Sequence, residues 1–356
     1  MSKRKYDLAV FIGRMQPLHR GHTQNIDNAL EIADNVLVIV GSANQPRTPK
    51  NPFTVDERAA MIKSVYPEDR VQVEGVEDYY PDALWLKDVQ TVAHKHIIGA
   101  GIEPFTDAKV AILGHDKDHT SFYLNEFPTW DFIEIGHRLR QEKFPRIIDA
   151  TNIRNAYFSG DFEEDIISQI PVEVSAFLHK FHNTPEYKML VEEQAYFTRY
   201  KEIWEAAPYA PTFTTTDAIV VQSGHVLLVK RRTQPGKGLW ALPGGFVNEK
   251  ERLEEGVIRE LREETKLKVA KRVLEGSIRH KHTTVFDAPN RSLRGRTITH
   301  AFLIDLDAQP KLPKVKGSDD AEEAKWFPLH VVDAMGSILF EDHKLIIQTM
   351  VAKLED

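Results

Sequence analysis

Short apolar runs alternate with longer segments of helical period from the start of the chain. This alternation constrains the fold more than any other feature. Residues 8–12 (LAVFI) form an unbroken apolar run, as expected of a strand covered on both faces. A turn-rich loop and a helix over about residues 21–33 follow, then a second buried strand at 36–40. Thr54-Val55-Asp56-Glu57 reads as a capping box that starts a helix whose apolar face is Val55, Ala59, Ile62 and Val65. A strand at 71–76, a helix over about 82–98 and a strand at 109–113 continue the series. Strands separated by helices predict a parallel sheet covered on both sides.

The alternation stops in the second half. Residues 171–207 read as helical and charged, and Ala206-Ala207-Pro208-Tyr209-Ala210-Pro211 closes them with two prolines. Beyond it, residues 218–221 and 226–230 read as a hairpin around Ser223-Gly224-His225, followed by a Gly/Pro-rich loop, a charged helix and further strands. That order belongs to an α+β domain. The 356 residues exceed the roughly 100–200 of one domain, so two are expected. The divisions are 1–185, a helical linker at 186–211, and 212–356, with Trp204 and Tyr209 packing between the domains.

Composition narrows the chemistry. Lys+Arg 46 against Asp+Glu 53 gives a net charge of −7, which argues against a generic nucleic-acid binder. With Cys 0 there is no disulfide framework, thiol nucleophile or Cys-ligated zinc. No run approaches the roughly 18–20 apolar residues of a membrane span, so no membrane partner and a cytoplasmic location are expected. The sequence leaves oligomeric state open, a homo-oligomer included.

After the first strand comes Gly13-Arg14-Met15-Gln16-Pro17-Leu18-His19-Arg20-Gly21-His22. A first strand-to-helix turn lies where open α/β sheets bind ligands, and a helix N-terminus attracts phosphate. His19 and His22 sit three apart on one side of the helix entry, placed to donate to a triphosphate. Arg14 offers a bidentate partner and Gly21 leaves room for the backbone to approach. The bland alternative is a capped helix with two surface histidines.

The ten-residue string resembles the signature of the HIGH-type nucleotidyltransferases, and in this form the archaeal-type nicotinamide mononucleotide adenylyltransferases. Gly41-Ser42-Ala43 is similar to a nucleotide-binding turn of that family, and Asn51-Pro52-Phe53-Thr54 with Glu57-Arg58 to its N/D-P-F-T-x-x-E-R segment. Lys50 stands where the family carries a basic phosphate-binding residue, with Arg47 a nearby substitute. Asp78 and Trp85 resemble its nicotinamide-site Asp and stacking Trp, with Asp82 in place of an Asn. Thr151-Asn152-Ile153-Arg154 resembles the second signature, with Asp149-Ala150 replacing Ser-Gly. The resemblance implies a Rossmann-like parallel-sheet domain in which His19, His22, Arg14 and Arg154 are catalytic. Gly13, Met15, Gly21, Ser42, Arg47, Lys50, Asp78, Trp85 and Thr151 would hold ATP and nicotinamide mononucleotide. The implied reaction is attack of the mononucleotide 5′-phosphate on the α-phosphorus of ATP, giving NAD and pyrophosphate, with Mg²⁺ on the ATP phosphates.

In the second half, Glu260, Glu263 and Glu264 stand at i, i+3 and i+4, on one helical face. Leu253, Val257 and Leu261 form the apolar stripe of that helix, and at about 100° per residue Glu264 falls on its core side. Hard oxygen ligands on one face suit Mg²⁺ or Mn²⁺. A solvated helix with ion pairs to Arg259 and Arg262 is the alternative. The frame Gly245-x5-Glu251-x7-Arg259-Glu260-Leu261-x-Glu263-Glu264 resembles the Nudix box, which implies an α+β fold with a mixed sheet between helices. It implies that Glu260, Glu263 and Glu264 hold metal, that Glu263 or Glu264 serves in catalysis, and that Glu251 and Arg259 brace the loop. Lys266 stands where the family carries Gly, a position that disfavours a side chain if the backbone turns left-handed there.

Phe286-Asp287-Ala288-Pro289, with Arg291, Arg294 and Arg296, resembles a segment of the ADP-ribose pyrophosphatases fused to this adenylyltransferase. Phe286, Arg294 and Arg296 are then expected at ADP-ribose, with AMP and ribose 5-phosphate as products. Taken whole, the chain resembles the bifunctional adenylyltransferase/ADP-ribose pyrophosphatase family. The alternatives are a non-catalytic ADP-ribose sensor, a Nudix site for another nucleoside diphosphate derivative, and a HIGH-type transferase with another phosphate acceptor. Gly236-Lys237-Gly238 reads as a turn, and the His94/His96, His179/His182 and His280/His282 pairs as surface residues, since none has a carboxylate at ligand spacing.

Overall fold

The computed structural model describes residues 4–43, 45–67, 69–99, 101, 108–114, 123–134, 148–160 and 164–355. It divides into two compact units, Met1–Val191 and Glu192–Asp356.

The first unit runs β1 (Tyr6–Gly13), α1 (Arg20–Ile32), β2 (Ala33–Val40), α2 (Val55–Val65), β3 (Val71–Gly75), α3 (Asp82–Gly99), β4 (Val110–Gly114) and β5 (Asp131–Glu134). It continues with α4 (Ala150–Ser159), α5 (Glu164–Ile167), α6 (Val172–Phe181) and the start of α7 (Pro185–Glu202). The five strands are parallel, in the order β3-β2-β1-β4-β5. The continuous apolar run of β1 has a direct cause. Ala9 and Phe11 pack into one cluster with Ile26, Val38 and Met61, while Leu8, Val10 and Ile12 pack into another with Leu37, Ile39 and Val89. The sheet is buried on both faces, and the order reverses between β1 and β4, at whose carboxyl ends ligands of such sheets bind.

Two details differ from the sequence reading. β5 was not expected, because Asp131-Phe132-Ile133-Glu134 is short, polar at both ends and on the sheet edge. The inner face of α2 is Arg58, Met61 and Ile62, with Val55, Ala59 and Val65 only half-buried. Arg58 turns inward because four backbone carbonyls receive it, as described below. The capping box is present: Thr54 Oγ1 accepts from Glu57 N–H at 3.2 Å, and Glu57 accepts from Thr54 N–H at 2.8 Å.

The second unit holds β6 (Thr212–Gln222), β7 (His225–Arg231), β8 (Trp240–Ala241), β9 (Gly244–Phe246), α8 (Leu253–Thr265) and α9 (Lys271–Gly276). Then come β10 (Thr284–Phe286), β11 (Arg296–Leu306), β12 (Ala321–Pro328), α10 (Leu329–Val332) and α11 (His343–Val351). The mixed seven-stranded sheet has the path β10-β11-β6-β7-β12, with β8 on β7 and β9 on β6. Only β6 and β11 pair in parallel; the other ladders are antiparallel. The β6–β7 turn uses Ser223 and Gly224, both at positive φ (48° and 70°), the twist a tight hairpin requires. Val257, Ile258 and Leu261 of α8 pack on Ala218, Val220, Phe302 and Ile304.

Helix α7 passes from one unit to the other. Tyr187 and Leu190 are buried in the core of the first, whereas Glu193 belongs to the second and accepts from Gly236 N–H at 2.8 Å. Trp204 lies edge-on to Phe213 of its own unit, at 5.5 Å, and Tyr209 is 86% exposed. No helix among the described residues is long and apolar enough to cross a membrane.

Candidate active sites

The first cluster forms where the carboxyl ends of β1, β2 and β3 meet the amino ends of α1, α2 and α4. His19 is the N-cap of α1. Its Nδ1 accepts from Gly21 N–H (3.2 Å), and His22 Nδ1 accepts from His19 N–H (3.3 Å). The rings stack, with centroids 3.6 Å apart and planes 20° apart. An accepting Nδ1 places the proton of a neutral ring on Nε2. Both imidazoles therefore present an Nε2–H donor at a helix entry that already favours anions. Gly13 ends β1, and a Cβ there would meet Met15 Cε at 2.9 Å. Met15 is buried at positive φ (49°), and Ser42, in the turn after β2, takes the same left-handed region (53°).

Three guanidiniums surround this turn. Arg14 is exposed. Arg58 is buried and donates to the carbonyls of Arg14 (2.9 Å), Gly41 (2.6 Å), Ser42 (3.5 Å) and Thr54 (3.2 Å). Arg154, on α4, donates to the carbonyls of Pro49 (3.1 Å) and Gln16 (2.7 Å) and to Thr151 Oγ1 (3.2 Å). Burial pushes Arg58 and Arg154 down to about 10, and the charge of Arg14 adds to the shift in both. Like charges held this close create a local positive field in an acidic chain, the condition for binding a polyphosphate.

The structure places the remaining predicted residues as follows. Arg47 is bidentate to Glu57 (2.6 and 2.8 Å), donates to Pro52 O (2.6 Å) and lies 5.5 Å over Phe181, so its charge is engaged within the fold. Burial opposes ionisation of Glu57, but Arg47 and Thr54 N–H overcome it and hold the carboxyl below its ordinary range. Lys50 is half-buried in the same segment. Asp78, after β3, lies close enough to Arg58 to favour its charge. Trp85, on the first turns of α3, meets Tyr123 edge-on at 5.5 Å. Thr151 is exposed at the start of α4, whose N-cap Asp149 accepts from Thr151 N–H at 3.0 Å. A capping aspartate thus serves where Ser-Gly was the expected pair.

Two contributors were missed. Gln16 ties the β1–α1 turn to the segment before α2, donating to Phe53 O and accepting from Phe53 N–H, both at 2.9 Å. Arg58 ties both loops to α2. Each sits inside a quoted motif, but a residue that acts through backbone carbonyls leaves no charge pattern to read.

The second cluster is built around α8. Glu251 accepts from Asn248 N–H (2.7 Å) and takes a bidentate contact from Arg259 (2.9 and 2.6 Å). Arg259 holds its carboxyl down, at about 2, and its own pKa is raised in turn. Arg259 also donates to Phe246 O (3.2 Å), Glu260 (2.8 Å) and Glu263 (3.1 Å). Glu264 is 7% exposed, on the core side as its helical angle predicted, and accepts from Gly244 N–H at 3.0 Å. Burial pushes it up to about 8, with Glu260 and Asp217 adding to the rise, and burial also raises Glu260. A Cβ at Gly245 would stand 2.5 Å from Glu260 Oε1, which explains the glycine. Lys266 caps α8 at φ 46°, ψ 31°, the left-handed region.

Among the described residues no group of His, Asp or Glu side chains is gathered tightly enough to enclose a metal ion. Helical spacing puts Glu260, Glu263 and Glu264 on one face, but Arg259 bridges the first two and Glu264 turns onto Gly244. The donor set still fits a hard divalent cation. Two raised carboxyls carry a burial cost that a cation would offset, and oxygen ligands suit Mg²⁺ or Mn²⁺.

Of the residues expected at ADP-ribose, Arg294 lies 5.1 Å over Phe246 and within the field of Asp217. Phe286 is buried, 2% exposed, in the interior rather than on an open surface. Arg296 is held by the carbonyl and carboxylate of Asp287. Arg291 is bidentate to Asp342, at 2.9 and 2.7 Å.

Residues 10–154 match the cytidylyltransferase-like family model and residues 212–348 the NUDIX domain model. A nicotinamide/nicotinic acid mononucleotide adenylyltransferase of Acinetobacter baylyi is 35% identical over 192 residues, 53% of this chain and 94% of that protein. An ADP-ribose pyrophosphatase of Methanocaldococcus jannaschii is 35% identical over 138 residues, 39% of this chain and 73% of that protein. A bifunctional NMN adenylyltransferase/ADP ribose pyrophosphatase of Francisella tularensis, crystallised with AMP and a manganese ion, superposes with a TM-score of 0.88 at 35% identity, over 98% of this chain and 99% of that one. The chain belongs to the family of two-domain proteins that the Francisella structure represents, in which a cytidylyltransferase-like domain precedes a NUDIX domain.

Proposed function

We propose that this chain makes NAD from ATP and nicotinamide mononucleotide, releasing pyrophosphate, and separately hydrolyses ADP-ribose to AMP and ribose 5-phosphate. The first activity is assigned to residues 1–185 and the second to 212–356, and the place of action is the cytoplasm. The observation that carries the reading is the stacked His19–His22 pair, with Nε2–H donors at a helix entry ringed by Arg14, Arg58 and Arg154.

Adenylyl transfer needs alignment and charge neutralisation rather than a covalent nucleophile. Arg14 would neutralise charge on the triphosphate, His19 and His22 would donate hydrogen bonds to it, and Arg154 would act with them. Its guanidinium also fixes Gln16, and so the turn on which they stand. Gly13, Met15, Gly21 and Ser42 would shape the backbone against the nucleotides. Lys50 and Thr151 would serve phosphate, with Arg47 bracing their loop through Glu57 and Pro52 O, and Asp78 and Trp85 would serve the nicotinamide. In the second site, Glu260, Glu263 and Glu264 would hold Mg²⁺ or Mn²⁺, with Glu263 or Glu264 as base, while Glu251 and Arg259 brace the loop. The bound cation would clamp the diphosphate and lower the pKa of water. Arg259 would have to release Glu260 and Glu263 in part.

The purified chain should form NAD and pyrophosphate from ATP and nicotinamide mononucleotide with Mg²⁺. It should form AMP and ribose 5-phosphate from ADP-ribose with Mg²⁺ or Mn²⁺. Absence of one product pair would refute that half of the reading; ADP-ribose left intact while another nucleoside diphosphate derivative is cleaved would reassign the second site.

A further inference from the structure

The turn against which Glu260 and Glu264 rest is held from two sides. On one side it pairs with β6: Gly244 stands opposite Asp217 and Gly245 opposite Thr216, and Ala218 N–H donates to Pro243 O at 2.8 Å. On the other side it meets a buried histidine from far along the chain. His343, the first residue of α11, accepts from Leu242 N–H through Nδ1 at 2.8 Å, across 101 residues of sequence.

The histidine is itself firmly placed. The segment before it runs beside β8, where Leu339 bridges Trp240 and Phe340 N–H donates to Trp240 O at 2.8 Å. The Phe340 ring meets the imidazole edge-on, with centroids 5.5 Å apart. Glu341 stands 3.8 Å from Arg294 in the left-handed region (φ 45°), a costly conformation that persists only where its surroundings enforce it. Asp342 takes the bidentate contact of Arg291. Burial pushes His343 down to about 3; Asp342 opposes the shift, and Arg291, Arg231 and Arg294 add to it. The ring is thus neutral, and an accepting Nδ1 puts its proton on Nε2.

We propose that His343 is a positioning residue for hydrolysis, holding the Leu242–Gly245 turn so that Gly244 N–H and the face of Gly245 set where Glu264 and Glu260 stand. This rests on the hydrolase reading and adds to it a residue outside the Gly245–Glu264 frame. The coupling has little slack. Gly244, two residues after Leu242, donates to Glu264 at 3.0 Å, and a Cβ on Gly245 would stand 2.5 Å from Glu260 Oε1. A turn released at Leu242 carries both carboxylates with it, and a misplacement of about 1 Å costs roughly 10² in rate. What the imidazole supplies over an apolar side chain is one acceptor, without which the buried Leu242 N–H loses its partner.

The test compares full-length variants in steady-state ADP-ribose hydrolysis, and in Mn²⁺ binding followed by electron paramagnetic resonance without substrate. H343L removes the acceptor. H343N carries an amide oxygen to the Nδ1 position, whereas H343Q carries its amide to the Nε2 position. H343L and H343Q should lower kcat about 10²-fold with KM for ADP-ribose within about twofold, and should weaken Mn²⁺ binding about tenfold. H343N should recover kcat to within about tenfold of wild type. Wild-type kcat in H343L, equal losses in H343N and H343Q, or a change confined to KM would overturn the proposal. Should H343L fail to fold, the ratio of H343N to H343Q decides. A wild-type chain that leaves ADP-ribose intact would instead contradict the hydrolase reading. The positioning role is then read from Mn²⁺ affinity, where equal values for wild type and H343Q overturn it.

Discussion

At the scale of single residues, the charged groups that organise the two sites work in opposite ways. Arg58 meets carbonyls, which leave its charge in place beside Arg14, with Asp78 opposing that repulsion. Arg259 meets three carboxylates and cancels charge that would otherwise repel. Lysine cannot form the forked contacts of either. Arg58→Lys should therefore lower the rate of NAD synthesis at least tenfold, as loops carrying Arg14 and Ser42 lose their common tie; an unchanged rate in a direct NAD assay would remove Arg58 from the site. Glu193 gives a pH test. Burial raises its carboxyl from 4.5 to about 7. The folded state then holds a proton that the unfolded chain releases, so its contribution to stability is full below about pH 4.5 and falls as pH rises to about 7. Glu193→Gln removes that penalty. The variant should gain roughly 2–3 kcal/mol over wild type at pH 8, and the gain should disappear near pH 4.5 in urea melts. A difference independent of pH would show that the carboxyl ionises freely in the fold. Spacing alone put Glu264 on the core side of its helix, where it is buried. It did not show Arg47 consumed by Glu57, or Glu193 in the other unit, because those pairings depend on how helices and loops pack.

Elements were legible in proportion to how many signals agreed. β1 carried an unbroken apolar run, and α2 a capping box, and both formed at the expected places. β5 had neither. On α2, Val55, Ile62 and Val65 pack on the core as their spacing predicts, but apolar periodicity assumes that arginine points outward, and here the carbonyls of two loops draw Arg58 in. The left-handed backbone at Lys266 followed from a single box position normally held by glycine. Lys266→Gly should stabilise the second unit by about 1 kcal/mol, since a Cβ is disfavoured in that region; no rise in thermal midpoint would indicate a compensating contact of the lysine. Thr54→Ala should cost about 1 kcal/mol by removing one side of the capping box, read as a shift of the urea midpoint. No shift there would mean that Gln16 and Arg58 hold the helix start without it.

At the scale of the whole molecule, one acidic chain carries two unlike ways of holding phosphate. In the first unit, backbone N–H groups and imidazoles would offer hydrogen-bond donors and guanidiniums positive charge. In the second, carboxylates on α8 would need a divalent cation to face an anion at all. The two clusters lie in separate compact units and share no residue, so each chemistry should fail without the other. The central claim is tested most directly by assaying NAD synthesis and ADP-ribose hydrolysis in parallel on His22→Ala and Glu263→Gln full-length chains. The account predicts a loss of about 10²-fold or more in NAD synthesis, with hydrolysis retained, for His22→Ala, the order of one preorganised donor. It predicts loss of Mg²⁺-dependent hydrolysis with NAD synthesis retained for Glu263→Gln. Loss of both activities in either folded variant would contradict it.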